Sequence, residues 1–508
     1  MNKWQAVVLV FLIALGIRLA TLNQMGRTWD EGAYVEHGYE YVQLLQKGDF
    51  KNPYWYLQSD HPPLSRYLFG IASIFSIEKI EKNGNVIFEY NFLWPRIISV
   101  LLGSLSAFFI VLIGYKFYSP YVGIASGLIF SLIPFFVGLS QIATLESSII
   151  FFFTACVYFY LEFINFGKKK YIFLTGVTLG FALLVKQSNG LLIPLLGLIY
   201  TVWYLFQRKR NFRKFISLGL YSFFMIGVSS FLTIFLLWPM LFFNIQEVLN
   251  VQNAMWVKNV QLPPPEVFFG RLMLVPFPYY FVMFLITTPL VTLVLFAVGA
   301  LAIDKKRNFI SISILIWFLF PFVQSFYPFK QHGLRYIVEL YAPFALICGI
   351  GLEYFNSKFL KEKRLQYYSL AFVSMSLLGI LYKQQPYYLD YFNEVVGGSR
   401  NVYEKKLFQM GWWGQGIGEA AHYISSHEKK LVTVAVDGTQ PATVMPRLKN
   451  INLVYYDKNK TADYVISPYF NIVRLGFPEH ELDSKYKVVY TVYANGAKLV
   501  KVYKRIQK

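Results

Sequence analysis

LWPRIISVLLGSLSAFFIVLIGY, residues 93–115, has a single charged residue, Arg96, in an apolar run long enough to cross a lipid bilayer as one helix. Of all residues, 56% are hydrophobic and 15% charged, against roughly 25% charged in a soluble domain. About eleven such spans are expected from hydrophobic patterning, near 4–22, 93–115, 121–140, 147–166, 171–185, 189–206, 215–242, 279–302, 308–327, 336–355 and 366–383. The sequence therefore predicts a mainly α-helical, polytopic membrane protein.

The basic residues are concentrated in short gaps between alternate spans. These gaps lie at 168–170, 208–214, 304–307 and 358–364. The positive-inside rule places them, and the N-terminus, in the cytoplasm. The formal net charge of +20 then reflects membrane topology, and no nucleic-acid partner is expected. The first span lacks a cleavage pattern of small residues, so we expect a retained anchor in a multi-pass protein of the plasma membrane.

The chain is expected to divide into two domains. Residues 1–385 form the transmembrane module, and residues 386–508 form a small external α/β domain. Within the second domain the patterns predict a helix and five strands, the last two joined by an Asn495-Gly496 turn. The helix is GQGIGEAAHYISS (414–426), and the strands lie in KLVTVAVDG (430–438, ending in a turn), INLVYY (451–456), ADYVISPYF (462–470) and YKVVYTVYANGAKLVKVYK (486–504).

The largest hydrophilic insertion between spans is the predicted external loop 23–92. Its stretch TWDEGAYVEHGYEY begins a predicted amphipathic helix at 29–47, with the adjacent acids Asp30 and Glu31 in its first turn. Thr28 and Glu31 fit a capping box, in which the carboxylate satisfies an exposed amide. That interpretation accounts for Glu31 but does not need a second acid, so Asp30 is the stronger functional candidate.

Four other ionisable residues lie at the predicted external ends of spans: Arg96, Glu146, Lys186 and Arg335. Charged side chains at such depth are commonly paired or functional. For Lys186 the simpler interpretation is snorkelling to the interface, and a lone histidine before a helix, such as His61 in SDHPPLSRYLFG (59–70), is usually a turn residue. Taken together, the group predicts an external pocket whose cations suit a phosphate and whose acids suit a base for a hydroxyl nucleophile.

At these residues the chain resembles a GT-C membrane glycosyltransferase of the protein O-mannosyltransferase and aminoarabinose transferase family. The resemblance rests on an ordered series of segments over some 400 residues: WDEGAYVEHGYEYVQLLQKGDF, DHPPLSRYLFG, WPRIISVLLGSLSA, ATLESSIIFF, GVTLGFALLVKQSNG, FPYYFVMFLITTP, KQHGLRYIVELYAPF and QPYYLDYFNEVVGG. Aminoarabinose transferases have an arginine and a lysine where this chain has Ala33 and His61. These two departures favour the branch that resembles dolichyl-phosphate-mannose-protein mannosyltransferases. The loop 243–278 is too short for the large lumenal domain that eukaryotic members carry there, which favours a prokaryotic member.

The resemblance implies transfer of a mannose-like hexose from a polyprenyl-phosphate-sugar donor to a hydroxyl of a protein, glycan or lipid acceptor, by inverting single displacement. It makes Asp30 the catalytic base, and it makes Glu31 and Glu146 contacts to the acceptor or the sugar. The positions implied for the donor phosphate are Arg96, His61, Lys186 and Arg335. A lipid phosphate leaves readily once its charge is neutralised, so no metal or other cofactor is required, although the chemistry is compatible with a divalent metal.

The main alternative is a polytopic transporter or flippase of lipid-linked or small-molecule cargo. Such proteins usually show paired internal repeats and interrupted helices at the membrane midplane, and the sequence shows neither. A structural scaffold that displays the C-terminal domain is a third possibility, but it leaves the clustered external charges without a role. The ordered motifs therefore favour the transferase.

Overall fold

The computed structural model describes residues 2–506 apart from 58–59, 76, 83–84, 209, 239, 306–307, 329, 361, 437–443 and 447. The α-helices are α1 Lys3–Ala20, α2 Trp29–Lys47, α3 Tyr54–Leu57, α4 Leu64–Ser73, α5 Leu93–Phe117, α6 Pro120–Ser131, α7 Pro134–Leu139, α8 Glu146–Phe166, α9 Lys169–Val185, α10 Leu192–Leu205, α11 Phe212–Leu237, α12 Met240–Phe243, α13 Ile245–Gln261, α14 Tyr279–Thr287, α15 Leu290–Lys305, α16 Phe309–Leu319, α17 Tyr341–Phe359, α18 Lys363–Gln384, α19 Gly398–Glu404, α20 Ile417–His427 and α21 Tyr469–Leu475. The strands are β1 Ile77–Lys82, β2 Asn85–Tyr90, β3 Glu266–Phe268, β4 Arg271–Met273, β5 Val432–Val436, β6 Ile451–Tyr455, β7 Tyr464–Pro468, β8 Tyr486–Ala494 and β9 Ala497–Arg505.

The membrane-spanning character of the chain is confirmed, but the spans differ in number from the expectation. Within the described residues, eight helices are long and apolar enough to cross a membrane, and a ninth span results if α14 and α15, bent by 116°, are taken as one. The expected span 121–140 is broken into α6 and α7, because Pro134 begins a new helix where its ring ends the previous one. The expected span 171–185 is α9, which has 17 residues.

The two ends of the helical bundle differ in composition. One end carries the basic gaps, and there Lys116 pairs with Glu162 and Lys305 donates to the Tyr354 hydroxyl at 3.1 Å. The C-terminal part of the chain packs against the opposite end, which also carries the loop between α1 and α5. That the basic end faces the cytoplasm stays a prediction.

Helices α2 and α4 approach each other through a pair of glycines. A Cβ on Gly38 would lie 2.3 Å from the backbone oxygen of Arg66, and a Cβ on Gly70 would lie 2.0 Å from the backbone oxygen of Gly38. Any larger residue would push the helices apart. Helix α2 spans the predicted residues and ends at Gly48, which adopts the left-handed conformation (φ 67°). The glycine contact therefore fixes the His61 loop, which precedes α4, beside the first turns of α2.

The C-terminal part contains one five-stranded sheet in the order β6-β5-β7-β9-β8. Strands β6, β5 and β7 are parallel, whereas β7, β9 and β8 are antiparallel. The predicted strands are confirmed, as is the turn between β8 and β9, where Asn495 and Gly496 have φ of 43° and 85°. The predicted turn at Asp437-Gly438 lies outside the described residues. Helix α20 begins at Ile417 rather than at 414, because Gly414 and Gly416 take positive φ angles of 87° and 84°.

The hydrophobic core is continuous across the predicted domain boundary. The amide of Asn393 donates to the Ile286 carbonyl at 2.8 Å, and the amide of Gly270 donates to the Leu407 carbonyl at 2.9 Å. The Phe268 and Phe408 rings pack with centroids 5.9 Å apart. The boundary at 386 thus remains a prediction, and the segment after it is packed closely against the membrane-spanning part.

Candidate active site

Glu31 is the buried acid of the pair at the start of α2. Its Oε2 accepts hydrogen bonds from the Thr28 backbone amide at 2.9 Å and from the Thr28 hydroxyl at 3.2 Å. The capping role predicted for Glu31 is therefore confirmed. Because successive helical residues point about 100° apart, Glu31 and Asp30 face different surroundings.

Arg96, at the start of α5, forms a bidentate salt bridge with Glu31. Its Nε donates to Glu31 Oε1 and its Nη2 to Glu31 Oε2, both at 2.7 Å. The remaining donors reach the backbone oxygens of Leu22, at 3.2 Å, and Gly26. Glu31 also accepts from the Ala143 amide at 3.0 Å. This closed network ties the end of α1, the start of α2, the start of α5 and the loop before α8 together.

Asp30 faces Arg335 rather than Arg96. Its Oδ2 lies 2.8 Å from Arg335 Nη2 and accepts a hydrogen bond from the Trp413 indole at 3.0 Å. Its side chain is 39% exposed, whereas that of Glu31 is fully buried. Since both contacts involve Oδ2, Oδ1 accepts no hydrogen bond from the described residues. Asp30 thus has one oxygen fixed by two contacts and one oxygen without a described partner, on a partly exposed side chain.

Arg335 joins Asp30 to Glu146, the first residue of α8. Its Nε donates to Glu146 Oε1 at 2.5 Å, and its guanidinium lies over the Trp413 ring at 4.2 Å. The second oxygen of Glu146 is buried and has no hydrogen-bond partner among the described residues. A buried acceptor without a partner is unfavourable, so this oxygen is available to a ligand hydroxyl.

Lys186 directly follows α9 and has no carboxylate within ion-pair distance in the described part of the chain. Its ammonium sits 4.6 Å above the Tyr336 ring. Burial lowers the pKa of Lys186 to about 8, an effect that Glu146 opposes and Arg335 adds to. The ammonium is therefore mostly charged at neutral pH, and its charge is not neutralised by a direct partner.

His61 lies beside Asp60 and Tyr34. Its Nε2 is 3.8 Å from Asp60 Oδ2, and its ring stacks on Tyr34 with centroids 6.3 Å apart. Burial lowers the pKa of His61 to about 4; Asp60 opposes this shift, and nearby cations, Lys186 first among them, add to it. His61 is accordingly neutral at pH 7, and its Nδ1 has no partner among the described atoms.

The residues predicted from sequence thus fall into two neighbouring groups. The first, which we call the open cluster, consists of Asp30, Glu146, Arg335, Lys186 and His61. The second is the closed pair of Glu31 and Arg96. The structure brings Asp30 together with Arg335, and it does not pair Asp30 with Arg96.

Trp413 was not identified from the sequence. It lies in GWWGQG (411–416). The Trp29 amide donates to the Trp413 carbonyl at 3.2 Å, and the Trp413 amide donates to Gln415 Oε1 at 2.8 Å. The start of this segment is held by the Gly411 amide, which donates to Asp390 Oδ1 at 2.7 Å. Adjacent tryptophans between glycines were the available signal. The site therefore includes a side chain from the C-terminal part.

The described residues contain no group of three or more His, Cys, Asp or Glu side chains arranged to hold a metal ion. Cys156 and Cys348 are both buried and unpaired. The expectation that no metal is required stays a prediction.

Comparisons with known proteins identify the fold. Residues 8–254 match the family model described as dolichyl-phosphate-mannose-protein mannosyltransferase, and no curated protein sequence matches significantly. The chain resembles ArnT from Cupriavidus metallidurans bound to undecaprenyl phosphate, with a TM-score of 0.54 and 14% identity over 98% of this chain and 97% of that one. It also resembles the apo oligosaccharyltransferase of Archaeoglobus fulgidus, with a TM-score of 0.53 and 13% identity over 99% of this chain and 74% of that one. The S. cerevisiae protein O-mannosyltransferase Pmt1-Pmt2 complex, bound to its sugar donor, gives a TM-score of 0.39 and 17% identity over 49% of this chain, which spans 34% of that one. The GT-C resemblance inferred from the sequence is thus confirmed.

Proposed function

We propose that this chain, a membrane glycosyltransferase of the GT-C type, transfers a mannose-like hexose from a polyprenyl phosphate to an acceptor hydroxyl on the face predicted to be external. The observation that carries the proposal is the open cluster. Asp30 has one oxygen held by Arg335 and Trp413 and the other without a described partner. Arg335 also acts on the charge of Lys186, whose ammonium has no ion-pair partner in the described residues.

Asp30 acts as the general base. Its Oδ1 accepts the proton of the acceptor hydroxyl as the hydroxyl oxygen attacks the anomeric carbon. The new glycosidic carbon–oxygen bond forms while the bond from that carbon to the phosphate oxygen breaks. The electron pair leaves with the phosphate, and the configuration at the anomeric carbon is inverted. Arg335 keeps Asp30 oriented before the proton is transferred.

The leaving phosphate is held by Lys186 and Arg335. Lys186 supplies a charge that no nearby carboxylate neutralises directly, and the guanidinium of Arg335 adds a planar fork suited to phosphate oxygens. His61 is neutral and contributes a ring nitrogen rather than a charge. The described partners of Arg96 are Glu31 and backbone oxygens, so in this proposal Arg96 and Glu31 support the first turn of α2 instead of contacting substrate. The proposal departs from the family resemblance at these two residues.

Glu146 binds a hydroxyl of the sugar or of the acceptor. One of its oxygens is engaged by Arg335, and the other is buried without a described partner. A ligand hydroxyl would satisfy this oxygen, and an analogue lacking that hydroxyl would leave it buried and unpaired, which gives discrimination.

Two similarities support the identity of the donor. ArnT was solved with undecaprenyl phosphate, and the matching family model is named for a dolichyl-phosphate-mannose donor. The acceptor could be a protein, a glycan or a lipid, and the proposal is the same for each.

The bent helix pair α14–α15 gives little support to the transporter alternative. An interrupted span commonly marks a transport site, where the exposed carbonyls bind the cargo. Here the carbonyls of Leu285 and Thr288 accept hydrogen bonds from Asn393 Nδ2 at 2.6 and 2.8 Å. The side chain of Asn393 thus satisfies the carbonyls that the helix break exposes.

The test compares purified wild type with Asp30→Asn and follows release of sugar from polyprenyl-phosphate-mannose in the presence of a hydroxyl acceptor. We expect Asp30→Asn to lose turnover by about a thousandfold or more, because the amide is not a base. Glu40→Gln, which alters an exposed acid of the same helix, is the matched control and should retain full turnover. Comparable turnover in wild type and Asp30→Asn would show that Asp30 is not the base.

A further inference from the structure

Arg335 follows a turn of unusual backbone conformation. His332 and Gly333 have positive φ angles of 57° and 59°. A non-glycine residue in this region is disfavoured and persists only where its surroundings hold it. A Cβ on Gly333 would also meet the Phe135 ring at 3.3 Å. The segment that presents Arg335 to the open cluster therefore depends on external support.

That support comes from two buried side chains outside the open cluster. The Gly333 amide donates to the Tyr279 hydroxyl at 2.9 Å, and this hydroxyl in turn donates to Glu266 Oε2 at 3.4 Å. Both side chains are 1% exposed. Tyr279, itself held by Glu266, thus fixes the amide of Gly333, the second left-handed residue of the turn.

The other face of the turn is covered by the segment that carries Trp413. The His332 ring lies parallel to the Trp412 ring, with centroids 4.4 Å apart and planes inclined by 8°. Arg474, in α21 of the C-terminal part, lies 3.5 Å from Glu266 Oε1. Glu266, on the short strand β3, therefore sits where the loop before α14, the Arg335 turn and the C-terminal part meet.

We propose that Glu266 and Tyr279 are positioning residues, which hold the His332-Gly333 turn so that the Arg335 guanidinium lies between Asp30 and Glu146. The inference rests on the proposed function, since the role of Arg335 is defined there. Arg335 contacts Asp30 at 2.8 Å and Glu146 at 2.5 Å, so relaxing the turn would break both contacts together. A misplacement of about 1 Å at a catalytic centre can reduce the rate by as much as a hundredfold.

The test uses Glu266→Gln, Glu266→Ala and Tyr279→Phe in the full-length protein, with two readouts. Hydrogen–deuterium exchange followed by mass spectrometry reports the amides of residues 330–336 without requiring turnover. Steady-state kinetics with polyprenyl-phosphate-mannose then separate kcat from donor KM. The matched control is Glu419→Gln, a carboxylate that accepts hydrogen bonds from two tyrosine hydroxyls at 2.6 and 2.7 Å in the C-terminal part.

We expect Glu266→Ala and Tyr279→Phe to accelerate exchange at 330–336 and to lower kcat at least tenfold, with a smaller rise in donor KM, because Lys186 still binds the donor phosphate. Glu266→Gln still presents an acceptor oxygen, so its kcat should stay within threefold of wild type, as should that of Glu419→Gln. Unchanged exchange in both Glu266→Ala and Tyr279→Phe would overturn the proposal. So would faster exchange with an unchanged kcat. If the wild type transfers no sugar, the proposed function fails on its own, and the exchange data still decide whether Glu266 holds the turn.

Discussion

Glu31→Gln and Asp30→Asn should have opposite effects on stability and turnover, although the two acids are adjacent. Glu31 is fully buried and is the ion-pair partner of Arg96, which is itself 3% exposed. Its replacement by glutamine would leave the Arg96 charge buried without a counter-charge, which destabilises a protein by about 3–5 kcal/mol. Glutamine can still accept from Thr28, so the helix cap adds little to this loss.

Asp30 presents the contrasting case. Its side chain is 39% exposed, and solvent screens its pairing with Arg335, so we expect Asp30→Asn to change stability by less than about 1 kcal/mol. In the proposed function, however, turnover requires its carboxylate to accept a proton. Both substitutions change an acid to its amide at the same end of one helix. They therefore separate a structural role of Glu31 from a catalytic role of Asp30.

The assay for stability is thermal unfolding in detergent with a thiol-reactive fluorogenic dye. The two cysteines, Cys156 and Cys348, are both fully buried, so the dye reports exposure of the core. We expect the apparent Tm of Glu31→Gln to fall on the order of 5 °C, and that of Asp30→Asn to stay within about 2 °C of wild type. Turnover per folded molecule, measured well below Tm, should persist in Glu31→Gln and be lost in Asp30→Asn. A Glu31→Gln protein that is as stable as wild type but inactive would refute the assignment, because Glu31 would then act in the chemistry.

Three further substitutions test the open cluster. Burial lowers the pKa of Lys186 to about 8, so the charge of Lys186 is present below that pH and lost above it. Donor KM of the wild type should therefore rise about tenfold per pH unit above 8, whereas donor KM of Lys186→Arg should stay constant up to pH 9.5. The same alkaline rise in both proteins would contradict the phosphate-binding role of Lys186. Trp413→Phe retains an aromatic ring under Arg335 but removes the hydrogen bond to Asp30, so we expect kcat to fall about tenfold with little change in Tm; an unchanged kcat would show that the indole does not orient the base. Arg335→Lys cannot reach both carboxylates with one ammonium, so kcat should fall about a hundredfold or more, and wild-type kinetics in this variant would remove Arg335 from the mechanism.

The parts of the fold that depend on local signals could be predicted from the sequence. Helix α2 follows from Thr28, Glu31 and Gly48, which provide a cap at each end, and the β8–β9 hairpin follows from the Asn495-Gly496 turn. The number of full-length spans could not be predicted in the same way. Apolar composition at 121–140 is the same whether the helix continues or breaks at Pro134, and only packing decides between the two.

The open cluster was predicted as a set of residues but not as a set of contacts. Hydrophobic patterning placed Asp30, Glu146, Lys186 and Arg335 at the same side of the membrane, yet it could not choose which cation faces which acid. The choice depends on the direction of each side chain from its helix, and Asp30 and Glu31 differ by one helical step. Trp413 is 383 residues from Asp30, and no local pattern relates residues at that separation.

The two charge networks at this end of the bundle differ in whether they are complete. Glu31 and Arg96 satisfy each other and the surrounding backbone, so the pair provides support. In the open cluster, Asp30 Oδ1, Glu146 Oε2 and the Lys186 ammonium have no charged or hydrogen-bonding partner among the described residues. A sugar phosphodiester with its acceptor provides what is missing: one anion and several hydroxyls. In the proposed transfer, Asp30 gains a proton at the same time as the departing phosphate gains a negative charge. The net charge of the cluster is therefore unchanged by the reaction, and the negative charge moves from the base towards the two cations. In a largely buried site, where uncompensated charge is strongly disfavoured, this arrangement allows the leaving group to depart without a metal ion being required.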